Sequence, residues 1–109
     1  MTIKRPKDQK SSDYKELLRE ELADVDTAAE YLTAAFHDGE DVFLLAIRDV
    51  VEVRGGIAPL AKATSLNREG LYDMLSEKGN PRLSSLSAVL DSLGITVNFT
   101  AKLEGTKAA

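Results

Sequence analysis

A chain of 109 residues is one domain by size, and 43% hydrophobic content supports only a small core that association with a second copy would help. The absence of cysteine removes disulfides and thiolate metal sites and fits a reducing cytosol. No apolar run nears the roughly 18 residues needed to cross a membrane.

The basic opening MTIKRPKDQKSSD lacks the apolar segment of a secretory signal, so a cytoplasmic protein of bacterial type is expected. A net charge of −4 argues against nucleic acid as a partner, because phosphate neutralisation normally supplies much of the affinity. The charge is unevenly spread, however. From Asp13 to Glu52, twelve acids stand against Lys15, Arg19 and Arg48, a balance of −9. From Arg54 to Arg82 the bases Arg54, Lys62, Arg68, Lys78 and Arg82 outweigh Glu69, Asp73 and Glu77 by two. The first twelve residues add +3 and the last stretch is neutral. One copy would grip DNA weakly, and a dimer presenting two motifs remedies that.

Residues 1–12 are charged and almost free of apolar side chains, which predicts disorder. Ser12 or Asp13 can cap a helix from about Tyr14 to Ala23, with Leu17, Leu18 and Leu22 along one side. Thr27-Ala28-Ala29-Glu30 has capping-box spacing and opens a second helix that ends near His37. Its apolar stripe is Tyr31, Leu32, Ala35 and Phe36, and Asp38-Gly39 breaks it. A third helix is expected over 41–54. Phe43, Ala46, Ile47, Val50 and Val51 form its buried face, and Gly55-Gly56 stops it.

Ile57 to Ser76, IAPLAKATSLNREGLYDMLS, reads as two short helices joined by a tight turn. Leu60 and Ala61 share a face of the first, where Ala61 is small enough for a close crossing, and Leu66 plugs the turn. Pro59 falls in the first turn, where its missing N–H has no partner to lose. Leu71, Met74 and Leu75 repeat at helical spacing in the second helix, with Asn67 as its natural N-cap. This is the pattern of a helix-turn-helix, whose second helix lies in the DNA major groove. Glu77 to Pro81 is a turn by composition. Ser84 or Ser85 starts the next helix. Leu86, Val89, Leu90 and Leu93 face inward there, and Gly94 ends it.

Residues 95–102 then alternate strictly, with Ile95, Val97, Phe99 and Ala101 on one face, which predicts a strand. It is either an arm packed along the domain or, as preferred here, the pairing strand of a homodimer made through Ile95, Val97 and Phe99. Residues 104–109 are a polar tail, so the domain spans 13–103.

The stretch PLAKATSLNREGLYDMLSEKGNPRLSSLSAVLDSLGI resembles the antidote (antitoxin) proteins of bacterial addiction modules, in the HigA-like, phage-repressor (Xre) type of helix-turn-helix. The resemblance covers about Asp41 to Thr100. It is carried by Leu60-Ala61, by Asn67-Arg68-Glu69 with Leu71-Tyr72, and by Ser76 followed by Gly79-Asn80-Pro81. AAEYLTAAF, Ala28 to Phe36, also looks like the family's amino-terminal helix. Two positions depart from the pattern. Ser65 stands where such turns usually have glycine, and Gly70 interrupts the recognition helix at a cost of roughly 1 kcal/mol relative to alanine, while permitting close approach to phosphate.

The resemblance implies an all-α, five-helix, lambda-repressor-like DNA-binding domain with a C-terminal β-strand. It further implies a homodimer that binds its own operator and represses it. The protein would also neutralise a small basic co-encoded toxin, in related systems a messenger-RNA endonuclease. A regulator with no toxin partner, or an interaction module that no longer touches DNA, are the rival readings.

Within this frame, Arg68 and Glu69 occupy the first turn of the recognition helix, where side chains reach base edges. Arginine can bind guanine bidentately and glutamate can accept from cytosine; otherwise they are a solvated surface pair. Asn67 is a helix cap before it is a DNA contact. Tyr72 touches a thymine methyl or a phosphate, or half-buries against Leu75. Asp73 should lie off the contact face. Lys62 on the first helix, and Lys78, Asn80 and Arg82 after the second, are candidate phosphate contacts that position without specifying, although Asn80-Pro81 also serves as a plain turn.

His37 is the only histidine and makes neither a metal site nor a triad. The carboxylates from Glu16 to Asp41 sit on solvated helix faces or form a docking surface for a basic toxin. With no glycine-rich phosphate loop, nucleophile motif or metal spacing, no enzymatic activity, cofactor or metal is expected.

Overall fold

Residues 12–103, those the computed structural model describes, form six helices: α1 (Ser12–Ala23), α2 (Val25–Asp38), α3 (Glu40–Val53), α4 (Ile57–Thr64), α5 (Arg68–Met74) and α6 (Leu83–Ser92). The expectations of disorder before α1 and of a polar tail from 104 lie outside these residues, while Ser12 already belongs to α1. The expected count of five is corrected to six: three helices precede the two short ones of the helix-turn-helix pattern and one follows. Ser65 separates the two short helices by adopting the left-handed conformation (φ 61°, ψ 24°), which no α-helix can continue through.

Helices α2 and α3 pack on one another, and α1 contacts both. Tyr31, Leu32 and Ala35 of α2 meet Ala46, Ile47, Val50 and Val51 of α3 in the centre of the core. A hydrogen bond of 2.6 Å from the Tyr31 hydroxyl to the Asp49 carboxylate ties the pair together and satisfies the one polar atom that Tyr31 takes inward. Helix α4 bridges α3, α5 and α6. It does so through buried Ile57 and Leu60, facing Leu71 and Leu75 from one side and Val89, Leu90 and Leu93 from the other.

The helix ends follow their glycines. Gly55 (φ 112°) and Gly94 (φ 79°) take up positive φ after α3 and α6. The next amide in each case, Gly56 N–H and Ile95 N–H, donates to a carbonyl five residues back, Val51 and Leu90. This is the Schellman arrangement, and it satisfies carbonyls the helix would otherwise leave orphaned.

Four expectations are corrected. Helix α2 begins at Val25, with Asp24 as its cap and not Thr27; the Asp24 carboxylate accepts from Thr27 N–H (2.9 Å) and Oγ1 (2.8 Å). Two overlapping caps were available, and the earlier one wins because it adds a further turn to the helix. Residues 95–103 belong to no strand. A strand needs a ladder partner, and nothing else among the described residues has that form. Phe36, assigned to the buried stripe of α2, is 60% exposed, and Leu17 of α1 is 53% exposed. No helix among the described residues is long and apolar enough to cross a membrane.

Candidate nucleic-acid interface

The turn between α4 and α5 is built by short-range polar contacts. Thr64 Oγ1 donates to the Leu60 carbonyl (2.8 Å) and accepts from Leu66 N–H (3.3 Å), closing the end of α4. Ser65 then reverses the chain, and Leu66 drops its side chain against the core. Asn67 is extended (φ −75°, ψ 140°), and its Oδ1 accepts from Gly70 N–H at 2.9 Å. Its role as N-cap is therefore direct, and its carbonyl takes the first helical bond, from Leu71 N–H.

Seven residues of α-helix give α5 a length of about 10 Å, and an α-helix about 10–12 Å across with its side chains matches a major groove about 12 Å wide. Leu71 is buried and Met74 half-buried, whereas Arg68, Glu69, Gly70, Tyr72 and Asp73 are exposed. One side of the rod anchors it and the other stays open. Asp73 remains exposed on this short helix, so nothing local removes its charge from solvent.

A turn follows in which Gly79 passes very close to the end of α5. A Cβ built on Gly79 would collide with the Met74 carbonyl and lie 2.9 Å from the Asp73 oxygen. Gly79 N–H donates to the Ser76 carbonyl (2.9 Å), and Ser76 Oγ donates to that of Asp73 (2.8 Å). This tight loop carries exposed Lys78 and Asn80 to Arg82, which occupies the cap position of α6 with no side-chain capping bond. Lys62 is exposed on α4.

Two basic residues are placed differently from what their sequence positions imply. Arg54 was counted with the basic motif, but it is half-buried, and its Nη1 donates to the Leu93 carbonyl (3.1 Å) at the end of α6. There it stabilises the negative end of that helix and ties α3 to α6. Arg48 was counted with the acidic half, yet its guanidinium stacks over the Tyr72 ring, 5.6 Å from the centroid. That cation–π contact is worth about 0.5–1 kcal/mol. It sets a positive charge of α3 against α5, so the basic stretch loses one cation and gains another. Residues 24 apart in sequence carry no local signal of such a contact. The only sequence hint was that Arg48 is an isolated base in an acidic run.

Further along, Ile95 is half-buried against the core, whereas Val97 is 58% and Phe99 97% exposed. Of the alternating face, only the first residue is used by this subunit.

The sequence model of a family described as "Probable addiction module antidote protein" matches residues 12–101. No curated protein and no solved structure matches the chain.

Proposed function

Because the chain belongs to the probable addiction module antidote protein family, and so acts as the antitoxin of a toxin–antitoxin module, we propose that it binds its own operator as a repressor and neutralises a cognate toxin. The observation that carries the DNA-binding half is the open face of α5, with Arg68, Glu69 and Tyr72 exposed and Arg48 stacked on Tyr72. Arg68 and Glu69 read base edges and Tyr72 meets a thymine methyl or the backbone. Lys62, Lys78, Asn80, Arg82 and Arg48 hold phosphates. Asn67 acts first by capping the helix that presents them.

Two motifs are brought to one duplex by a homodimer in which Ile95, Val97 and Phe99 of each arm pair about a twofold axis. Pairing also gives the exposed Val97 and Phe99 a partner surface. The overall charge of −4 favours a second reading, an interaction module without DNA contact.

Gel-shift titration against the protein's own promoter decides between them. A shift that weakens steeply with salt and is lost in Arg68→Ala is expected. Unaltered binding in that variant removes the recognition-helix assignment, and no shift at any salt concentration favours the interaction module.

A further inference from the structure

The corner where α2 turns into α3 is furnished differently from the rest of the surface. Phe36, in the last turn of α2, is 60% exposed. It is nonetheless held in place: the half-buried Phe43 ring meets it edge-on at 5.1 Å between centroids, and the His37 ring does so at 6.1 Å. The backbone of the corner is fixed by Gly39 at φ 146°, where a side chain is strained and a Cβ would press on Asp41. Asp38, Glu40 and Asp41 follow Phe36 within five residues, all exposed, and no ion pair among the described residues engages them.

An exposed aromatic side chain held by its neighbours, with charged groups close by in the chain, has the composition of the anchors of protein interfaces, which are aromatic and polar-rimmed. The charge selects what can cover it. Nucleic acid and anionic lipid surfaces are repelled by three carboxylates. A second copy docked symmetrically on this corner would bring the same carboxylates face to face, since a twofold contact repeats one patch on both sides. A cationic protein meets neither obstacle, and an antidote has a toxin to bind.

We propose that this corner is the docking point for the cognate toxin, which would meet it with a cationic surface, with Phe36 as the anchor and Asp38, Glu40 and Asp41 as the neighbouring charges. This rests on the neutralisation reading above. It sharpens the expectation that the whole acidic run from Glu16 to Asp41 serves: the binding free energy is concentrated at one end of α2. The corner lies where α2 turns into α3, and the proposed DNA face on α4, α5, the loop before α6 and Arg48, seven residues along α3 from Asp41. A variant at the corner should therefore separate the two activities.

The test uses the full-length chain and, as probe, the purified product of the reading frame beside its gene, with affinity measured by calorimetry and rates by surface plasmon resonance. Phe36→Ser should weaken binding by roughly 30-fold or more, mainly through faster dissociation, with Phe36→Tyr restoring most of it. The combined Asp38→Asn, Glu40→Gln and Asp41→Asn variant should slow association and flatten its salt dependence. Promoter gel shifts of both should match the unsubstituted chain. Each variant should melt somewhat lower, Phe36→Ser through the lost Phe43 contact and the triple variant through lost acidic charge at the start of α3, so binding is compared well below every melting temperature. Leu83→Ser, at an exposed apolar residue of α6, is the control and should bind as before. Tight binding by both corner variants overturns the proposal while leaving neutralisation intact. A probe that fails to bind the unsubstituted chain overturns neutralisation and this proposal together.

Discussion

The two halves of this molecule reach stability by different routes. Helices α2 and α3 have fourteen residues each, which is near the length at which a helix begins to hold itself in water, and they bury their stripes against each other. Helices α4 and α5 have eight and seven, far below that length. The short pair exists because buried Leu60, Leu71 and Leu75 nail it to the core and because Thr64 and Asn67 side chains close the turn between its two helices. The lesson is a division of labour. A rod that needs only one buried side is free to spend the other on a ligand, whereas α2 and α3 have little free surface beyond their acidic faces and the Phe36 corner.

The strongest way to break this comparison is to remove an anchor. Leu71→Ala deletes a side chain that is 1% exposed and should cost about 2–5 kcal/mol. Operator binding should fall further than the loss of folded protein explains, because α5 is released first. Ile47→Ala in α3 should cost a similar amount, but folding and binding should be lost together. Denaturant midpoints and gel shifts, measured in the same buffer on both variants, check the contrast. Parallel losses of binding and folding in the two would show that α5 is no less stable than the scaffold.

Backbone changes sharpen it next. Gly79→Ala places a methyl group against the Met74 and Asp73 carbonyls, which belong to a helix end and cannot swing away. It should cost about 1–3 kcal/mol, read as a drop in melting temperature. Smaller and of opposite sign are Gly70→Ala and Ser65→Gly. A Cβ on Gly70 would find its nearest neighbour, Asn67 Oδ1, at 3.6 Å, so alanine fits and should raise stability by up to about 1 kcal/mol. Ser65 holds a left-handed φ of 61°, and glycine there should add about 0.5–1 kcal/mol. If Gly70→Ala stabilises the protein but weakens the promoter shift, the glycine serves backbone approach to phosphate. If binding is unaltered, Gly70 is only a weak point in the helix.

What the sequence made legible divides along the same line. Contacts made within a turn of their origin were readable: the Asn67 cap, the halts at Gly39, Gly55 and Gly94, and the buried leucines of α4 to α6. Contacts between distant elements were not. Arg48 on Tyr72, Arg54 on the Leu93 carbonyl and the Tyr31–Asp49 hydrogen bond each join separate helices, and no periodicity encodes them. Phe36 was misplaced because helical spacing gives a face without saying where the neighbouring helix stops covering it. The alternation from Ile95 to Ala101 was read as a strand, but alternation states only that one face wants burial. It does not supply the partner.

The smallest expected effect lies at the start of α2, where cap competition decided a helix boundary. Hydrogen bonds from the Thr27 hydroxyl and backbone N–H hold the Asp24 carboxyl below its ordinary value near 3.8, with the Arg54 charge helping and a little burial opposing. A carboxyl whose folded value is depressed binds fewer protons folded than unfolded. Its stabilising contribution is therefore complete above the unfolded value and is lost as pH falls through the folded one. Asp24→Asn keeps an oxygen to accept from Thr27 but removes the titration. The stability difference between the two proteins, measured by urea unfolding from pH 6 downward, should be level above the ordinary aspartate range and shrink below about pH 4. A difference that stays constant through that range would mean the cap is held by geometry alone, and that the charge on Asp24 contributes nothing to where α2 begins.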